Sequence, residues 1–247
     1  MTTAWVVTSA IDCSAEPLNY SPTRSVFSAE ERCRQTLATL ATIDGHAHDG
    51  DVVYVVDASE DPDRWRVALT PTGVVYVSVR EAWPDIYGAC RTHPNKSHSE
   101  ALMLDRHLDT SREALAGYDR TVKVSGRYLM GCGFDRGEWD DPTIGVLFKP
   151  AMAWHWKPGW DFSLVDRRDV QGDDTLRQYC SALWGWRTSC AGIVRELLRE
   201  AVAITRDQHY DMETLLYYLT RPHEAMVGEA DWIISGWGGT TGAYCRY

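Results

Sequence analysis

Apolar and polar positions change period several times along the chain, and the changes outline alternating strands and helices. "AWVVTSAID" (Ala4–Asp12) is a short apolar run with β-branched residues that ends in polar ones, the pattern of a buried strand. "SAEERCRQTLATLATI" (Ser28–Ile43) moves to helical spacing. Cys33, Leu37, Leu40 and Ala41 fall on one face, and Ser28 precedes Glu31 at the spacing of a capping box. A Gly50-Asp51 turn leads into a second apolar strand, Val52–Val56, which ends on Asp57 and Ser59. Strand, helix and strand, with a loop at each strand's carboxyl end, is the ground plan of nucleotide binding in open α/β sheets, although any α/β domain can share it.

Gly73–Val79 reads as a third strand, and His93–Leu108 as a polar loop feeding a helix in which Leu102, Leu104 and Leu108 repeat imperfectly. Residues 111–118 continue as helix or turn. "TVKVSGRYLMGCGFD" (Thr121–Asp135) then starts as a buried strand, with Val122 and Val124 alternating, and stops at Ser125-Gly126-Arg127. Beyond it come a Gly/Asp-rich loop (Gly131–Pro142), a short strand (Ile144–Phe148) and a Trp-rich stretch (Ala151–Trp160). A long helix follows in which Ile193, Leu197, Leu198 and Val202 share a face, and then a short one, "DMETLLYYL", with Asp211 placed to cap it. The last segment is an apolar run broken by a Gly/Thr-rich loop, and no internal repeat occurs. The expected architecture is one α/β domain over 1–247, an open, mixed, mostly parallel sheet flanked by helices.

Composition narrows the picture. With 44% hydrophobic and 24% charged residues the chain matches an ordinary globular protein. No apolar run approaches the roughly 20 residues that span a bilayer. Met1 to Ala4 lead straight into the first strand without a charged signal segment, so a cytoplasmic location is expected. A formal net charge of -10 disfavours broad, unspecific nucleic-acid binding yet allows a local basic groove around one phosphate-bearing ligand. Seven scattered cysteines without a C-x-x-C pair point to reduced thiols rather than a disulfide framework or zinc cluster.

Six segments recur in order over most of the chain: "VVTSAID", "RSVFSAEERCRQTLATLATI" (Arg24–Ile43), "VVYVVDAS", "NKSHSEALML" (Asn95–Leu104), "YDRTVKVSGRY" (Tyr118–Tyr128) and "DWIISGWGGTTG". Together they resemble a family of compact GT-A-fold glycosyltransferases found in bacterial surface-polysaccharide gene sets and in large viruses and phages. The most specific pieces are Arg24-Ser25 with Glu31-Arg32-x-x-Gln35-Thr36-Leu37, and Lys123-x-Ser125-Gly126-Arg127-Tyr128. The resemblance implies a GT-A-like single domain, with residues 1–130 binding a nucleotide sugar and 131–247 binding the acceptor. It implies transfer of a sugar from a nucleoside diphosphate donor such as a UDP-sugar to a glycan, in a bacterium or phage-infected host cell.

Metal-dependent GT-A enzymes end the corresponding strand in Asp-x-Asp, which holds a divalent cation on the donor phosphates. Ser125, Gly126 and Arg127 stand there instead. A departing diphosphate gains negative charge that either a Lewis acid or a fixed guanidinium can stabilise. Arg127 suits the second solution because its planar fork binds two phosphate oxygens while remaining charged. Gly126 would let the backbone approach the ligand, with Lys123 or Lys96 in support. The expectation is therefore an enzyme that requires no metal. A structural salt bridge for Arg127 and a solvent-facing Lys123 remain open as the alternative. So does Mn²⁺ or Mg²⁺ on the loop acids Asp135, Glu138, Asp140 and Asp141. Neither His46-x-His48 nor Cys90-x-x-His93 with His98 completes a zinc set.

Further candidates follow from strand ends and the family pattern. Thr8, Ser9, Ala10, Asp57 and Ser59 would meet the base and ribose, Arg24 the diphosphate, and Asn95, Lys96 and Glu100 other parts of the donor. An inverting transfer needs a carboxylate to deprotonate the acceptor hydroxyl. Glu213 and Asp211 are placed for this, with Asp140 and Asp141 as rivals, although Asp211 also suits a plain cap and Glu213 a helix first turn. Trp154, Trp156 and Trp160, with Trp184 and Trp186, could form a stacking platform for the acceptor. Two other functions fit the same residues. One is a phage-type DNA-modifying glycosyltransferase acting on hydroxymethylated bases, with Arg64/Arg66 and Arg167/Arg168 as a thin basic surface. The other is a non-catalytic carbohydrate-binding protein without nucleotide affinity.

Overall fold

A computed structural model describes residues 1–155 and 175–247. The elements are β1 (Thr3–Ser9), α1 (Ala29–Asp44), β2 (Val52–Asp57), α2 (Pro62–Leu69), β3 (Val75–Ser78), α3 (Val79–Ala82), α4 (Pro84–Thr92), α5 (Lys96–Thr110), α6 (Arg112–Leu115), β4 (Arg120–Ser125) and β5 (Tyr128–Met130). They continue as β6 (Val146–Phe148), β7 (Met152–His155), β8 (Thr175–Gln178), β9 (Leu183–Arg187), α7 (Ala191–Asp207), α8 (Met212–Leu219), β10 (Val227–Glu229), β11 (Ile234–Trp237) and β12 (Tyr244–Arg246).

Seven strands form one sheet in the order β10-β6-β9-β4-β1-β2-β3. It is mostly parallel; β9 alone among the seven runs against its neighbours β4 and β6. The fold is thus α/β, a mixed sheet flanked by helices, as the sequence predicts. β1 is buried along its whole length and feeds both faces. Ala4 and Val6 join a core with α4, α5, α7 and α8, whereas Trp5 and Val7 join one with α1 and α2. Burial on both faces explains why its sequence reads as a continuous apolar run. The capping box at α1 forms as expected, Ser28 and Glu31 each accepting from the other's backbone N–H. No helix among the described residues is long and apolar enough to cross a membrane.

Two differences from the predicted pattern matter for the site. The first strand stops at Ser9, because the backbone N–H groups of Ile11 and Asp12 turn away to Asp57 Oδ1 (3.0 Å) and Ser59 Oγ (2.8 Å). On α1 the buried face carries Arg32, Gln35, Thr36 and Thr39 beside Cys33, Leu40 and Ile43, while Leu37 is half-buried and Ala41 exposed.

The Trp184-Gly185-Trp186 stretch is also corrected. It is the antiparallel strand β9, and its indoles are buried rather than presented to an acceptor. Trp184 stacks on Phe148 at 5.4 Å and meets Trp186 at 4.8 Å. Gly185 is required between them, since a Cβ there would lie 2.8 Å from the Thr121 carbonyl oxygen and 2.9 Å from Trp139. Gly185→Ala is expected to destabilise the fold by about 1–3 kcal/mol through overpacking. Chemical denaturation measures it, and an unchanged midpoint would contradict the packing.

Candidate functional site

β2 and β3 continue outward from one side of β1, while β4 lies on the other, so the sheet changes direction between β1 and β4. At such a point the loops leaving two adjacent strand ends diverge and open a crevice. Thr8 and Ser125 stand side by side in register at this place. A cleft of about 700 Å³ lies above them, floored by Thr8, Ser9, Ala10 and Ala58, with Cys90 and Met103 as apolar lining. Five cations face it: Arg24, Arg32, Arg91, Lys96 and Arg127. A second cavity of about 1040 Å³ shares Lys96, Glu100, Ser125 and Arg127 with the first. It continues past Tyr20, Tyr128, Gln178, Ser181, Asp211, Glu213 and Tyr247. A division at residue 130 therefore does not separate the two, because both draw on residues before it.

Charge distinguishes the cavities. Arg91 is offset by Glu60 at 2.8 Å and Asp12 at 3.6 Å. Arg24, Arg32, Lys96 and Arg127 have no carboxylate ion pair among the described residues; three of them are tied to carbonyl oxygens instead. Arg24 donates to His93 O (2.5 Å), Arg32 Nε to Ala10 O (2.6 Å) and Arg127 Nε to Trp237 O (3.2 Å). These contacts orient the guanidinium groups without cancelling their charge. Arg24 is 7% exposed, and its buried Nε has no hydrogen-bond partner among the described residues. Crowding shows in the protonation equilibria. Arg127, then burial, then Arg32 lower the Lys96 amine to about 7, and burial above all lowers Arg32 to about 10. Lys96 is also the first residue of α5, where the helix dipole adds positive potential. Such a cleft presents positive potential that favours an anion.

Glu100 stands in the wall between the cavities. Burial works to raise its pKa, but the cations Lys123, Lys96 and Arg127 outweigh it, and the net shift is downward. Its partner Lys123 is not a cleft residue and not solvent-facing. It is 1% exposed and donates to Glu100 Oε1, to Ser125 Oγ (2.8 Å) and to Ser181 O (2.6 Å). With all three ammonium protons used, Lys123 fixes Glu100 and Ser125 in place. Removing it in Lys123→Met leaves Glu100 without its main partner and is expected to cost about 3–5 kcal/mol. Urea denaturation reads the loss, and the double variant with Glu100→Leu should recover most of it.

The second cavity holds the carboxylate candidates. Glu213 Oε1 accepts from Ser181 Oγ at 2.6 Å. Burial first, and Asp211 next, push the Glu213 pKa up, and Ser181 opposes them. Asp211 occupies the N-cap position of α8, but its side chain makes no cap hydrogen bond. Capping is therefore no reason to prefer Glu213 to it as the base.

Several expected contacts fall elsewhere. Asp57 is fully buried and lines neither cavity; its oxygens accept from Ile11 N, Ser59 N (3.2 Å) and Tyr76 Oη (2.8 Å). Ser59 is likewise committed, to Asp12 N. Both shape the loop after β1 rather than reach into the cleft. Asn95 caps α5 through Ser97 N (2.9 Å) and donates to Gln208 O and Tyr210 O, both at 3.1 Å, which joins α5 to the start of α8. Gly126 does allow a close approach, but to protein: an added Cβ would lie 3.2 Å from Thr36 Oγ1 and 3.3 Å from Thr8 O. Trp154 belongs to β7, paired with Leu176, and Trp156 and Trp160 lie outside the described residues. Of the loop acids, Asp135 accepts from Gly137 N and Asp141 from Thr143. No cluster of three or more His, Cys, Asp or Glu placed for a metal occurs among the described residues. Thr8, Ser9, Ala10, Arg24, Lys96, Ser125, Arg127, Asp211 and Glu213 do come together around the two cavities.

Arg32 and Arg91 are cleft residues to which sequence reasoning gave no role. Tyr20, Tyr128 and Tyr247 supply aromatic surface to the second cavity. No family model matches the chain, and no curated protein matches it.

Proposed function

We propose that the chain is a glycosyltransferase of GT-A type that moves a sugar from a nucleoside diphosphate donor to a hydroxyl acceptor. One observation carries the reading. Arg32, Lys96 and Arg127 face a strand-end crevice and have no carboxylate ion pair among the described residues, and that crevice adjoins a cavity holding a carboxylate of raised pKa. The diphosphate takes the cationic part, where Arg127 and Lys96 hold the charge that grows as the sugar leaves. The sugar extends across the shared wall past Glu100. The acceptor enters between Tyr20, Tyr128 and Tyr247 and meets Glu213 or Asp211 as base. Stabilisation of the leaving group by fixed cations makes the reaction independent of Mn²⁺ and Mg²⁺.

Isothermal titration with UDP, GDP and their sugar conjugates, in EDTA and then in Mn²⁺, tests the reading. Binding in EDTA that Mn²⁺ does not strengthen is the expected result. Glycan binding without affinity for any nucleotide would favour a carbohydrate-binding protein. The acids Glu100, Asp211 and Glu213 around the second cavity make it a poor receptor for the phosphodiester backbone of DNA. Labelled sugar transferred to hydroxymethylated duplex DNA, but not to oligosaccharides, would reverse that preference.

A further inference from the structure

We propose that Lys96 takes up a proton from solvent when a nucleoside diphosphate binds, so that the cleft gains a further positive charge beside its arginines as the ligand's negative charge arrives. The inference rests on the donor reading above and deepens it. Arg32 from α1, Lys96 from the start of α5 and Arg127 from the turn after β4 converge from three elements on one cleft. A diphosphate esterified at both ends carries roughly two negative charges, and one with a free end roughly three, because a terminal phosphate has its second ionisation near pH 6. Arg24, Arg32 and Arg127 supply the fixed guanidinium charge that meets the intact donor, and a protonated Lys96 adds one more as the diphosphate left behind gains its extra negative charge.

The surroundings of the amine allow it to act in this way. Arg127 and Arg32 oppose its charge, whereas Cys13 and Glu100 favour it, and Glu100 is already held by Lys123. Asp211 and Glu213 face it across the second cavity. From the C-terminal segment the backbone of Gly239 closes on it, where an added Cβ would stand 3.1 Å from Nζ, and Thr240 and Tyr247 line the same cavity. Among the described residues no carboxylate forms an ion pair with the ammonium in the free protein. With its pKa lowered to about 7 by these neighbours, the amine is largely neutral above that pH. A bound diphosphate reverses the balance and raises the pKa. The sign follows: affinity is full below about pH 7 and falls, up to about tenfold per pH unit, as pH rises above it toward the pKa of the complex.

The experiment is calorimetric titration of the full chain with UDP, GDP, ADP and CDP, in buffers of different ionisation enthalpy. Uptake of about 0.5 proton near pH 7 and about 0.9 near pH 8 is expected from an amine that starts at about 7. In Lys96→Arg, which stays charged, uptake should vanish and affinity should no longer vary over this range while binding persists. Binding by the parent near pH 8 without proton uptake overturns the inference and leaves the donor reading intact, as does equal uptake in Lys96→Arg. A chain that binds no nucleoside diphosphate at either pH overturns the donor reading and the inference with it.

Discussion

Arg127→Ala is expected to lower kcat/KM for sugar transfer by about 10²–10³-fold, the usual cost of removing one preorganised group from a developing negative charge. Arg127 borders both cavities and, among the described residues, makes one side-chain hydrogen bond, to Trp237 O. Its removal should therefore leave the melting temperature nearly unchanged. The loss should also fall unevenly. Arg127 is the largest influence lowering the Lys96 pKa, ahead of burial and Arg32, so without it that pKa rises and Lys96 continues to hold the ground-state donor. The fall should be steeper in kcat than in donor affinity. Arg127→Lys should recover little, because an ammonium is a point charge and cannot bridge two oxygens as the guanidinium fork does. Steady-state kinetics and calorimetry on the three proteins decide the matter. Rescue of Arg127→Ala by Mn²⁺, or a parent enzyme silenced by EDTA, would contradict the role given to the arginine.

How far the sequence reveals this site depends on which interactions are local. The β1 and β2 runs and the α1 capping box are local patterns, and they appear where the sequence places them. Arg127 is legible as well, because a strand ending in a cation where an acid is expected can be read within three residues. Arg32 is not. On a helical wheel it resembles any surface charge, and only the packing of α1 beside β1 turns that face inward and makes its buried stripe polar. Lys123 misleads for the opposite reason. Alternation along β4 puts it on the face away from Val122 and Val124, but Glu100 of α5 and Ser181 before β9 bury that face. Asp57 looks like a ligand contact from its strand-end position. It accepts locally from Ser59 N, but also from Ile11 N and Tyr76 Oη, and partners 46 and 19 residues away leave no local trace. β9 hides behind its tryptophans, since Trp-Gly-Trp reads as a platform until Trp139 is seen packed over Gly185. Residues that meet a ligand and residues that hold the loop can share one sequence signature, and long-range hydrogen bonds separate them.

Glu213→Gln is expected to reduce kcat by about 10²–10⁴-fold, the typical contribution of a positioned general base, while nucleoside diphosphate affinity stays near the parent value. Folding should not suffer. Burial raises the Glu213 pKa, so folding works against its charge, and glutamine keeps the shape while removing that charge. The variant should melt no lower than the parent at neutral pH, which separates a chemical defect from a structural one. The pH profile gives a sharper test. A base works only when ionised, so kcat/KM should rise with pH through a limb set by the raised pKa of Glu213. Asp211 is the second cause of that rise, through like-charge repulsion. Asp211→Asn removes it, and the acid limb should move to lower pH with activity retained. If instead Asp211→Asn abolishes transfer and Glu213→Gln leaves it intact, the two acids exchange roles, with Glu213 serving to raise the basicity of Asp211. Loss in neither variant would remove both carboxylates from the chemistry and leave Glu100, whose pKa Lys123 lowers against the effect of burial, as the acid that lines both cavities.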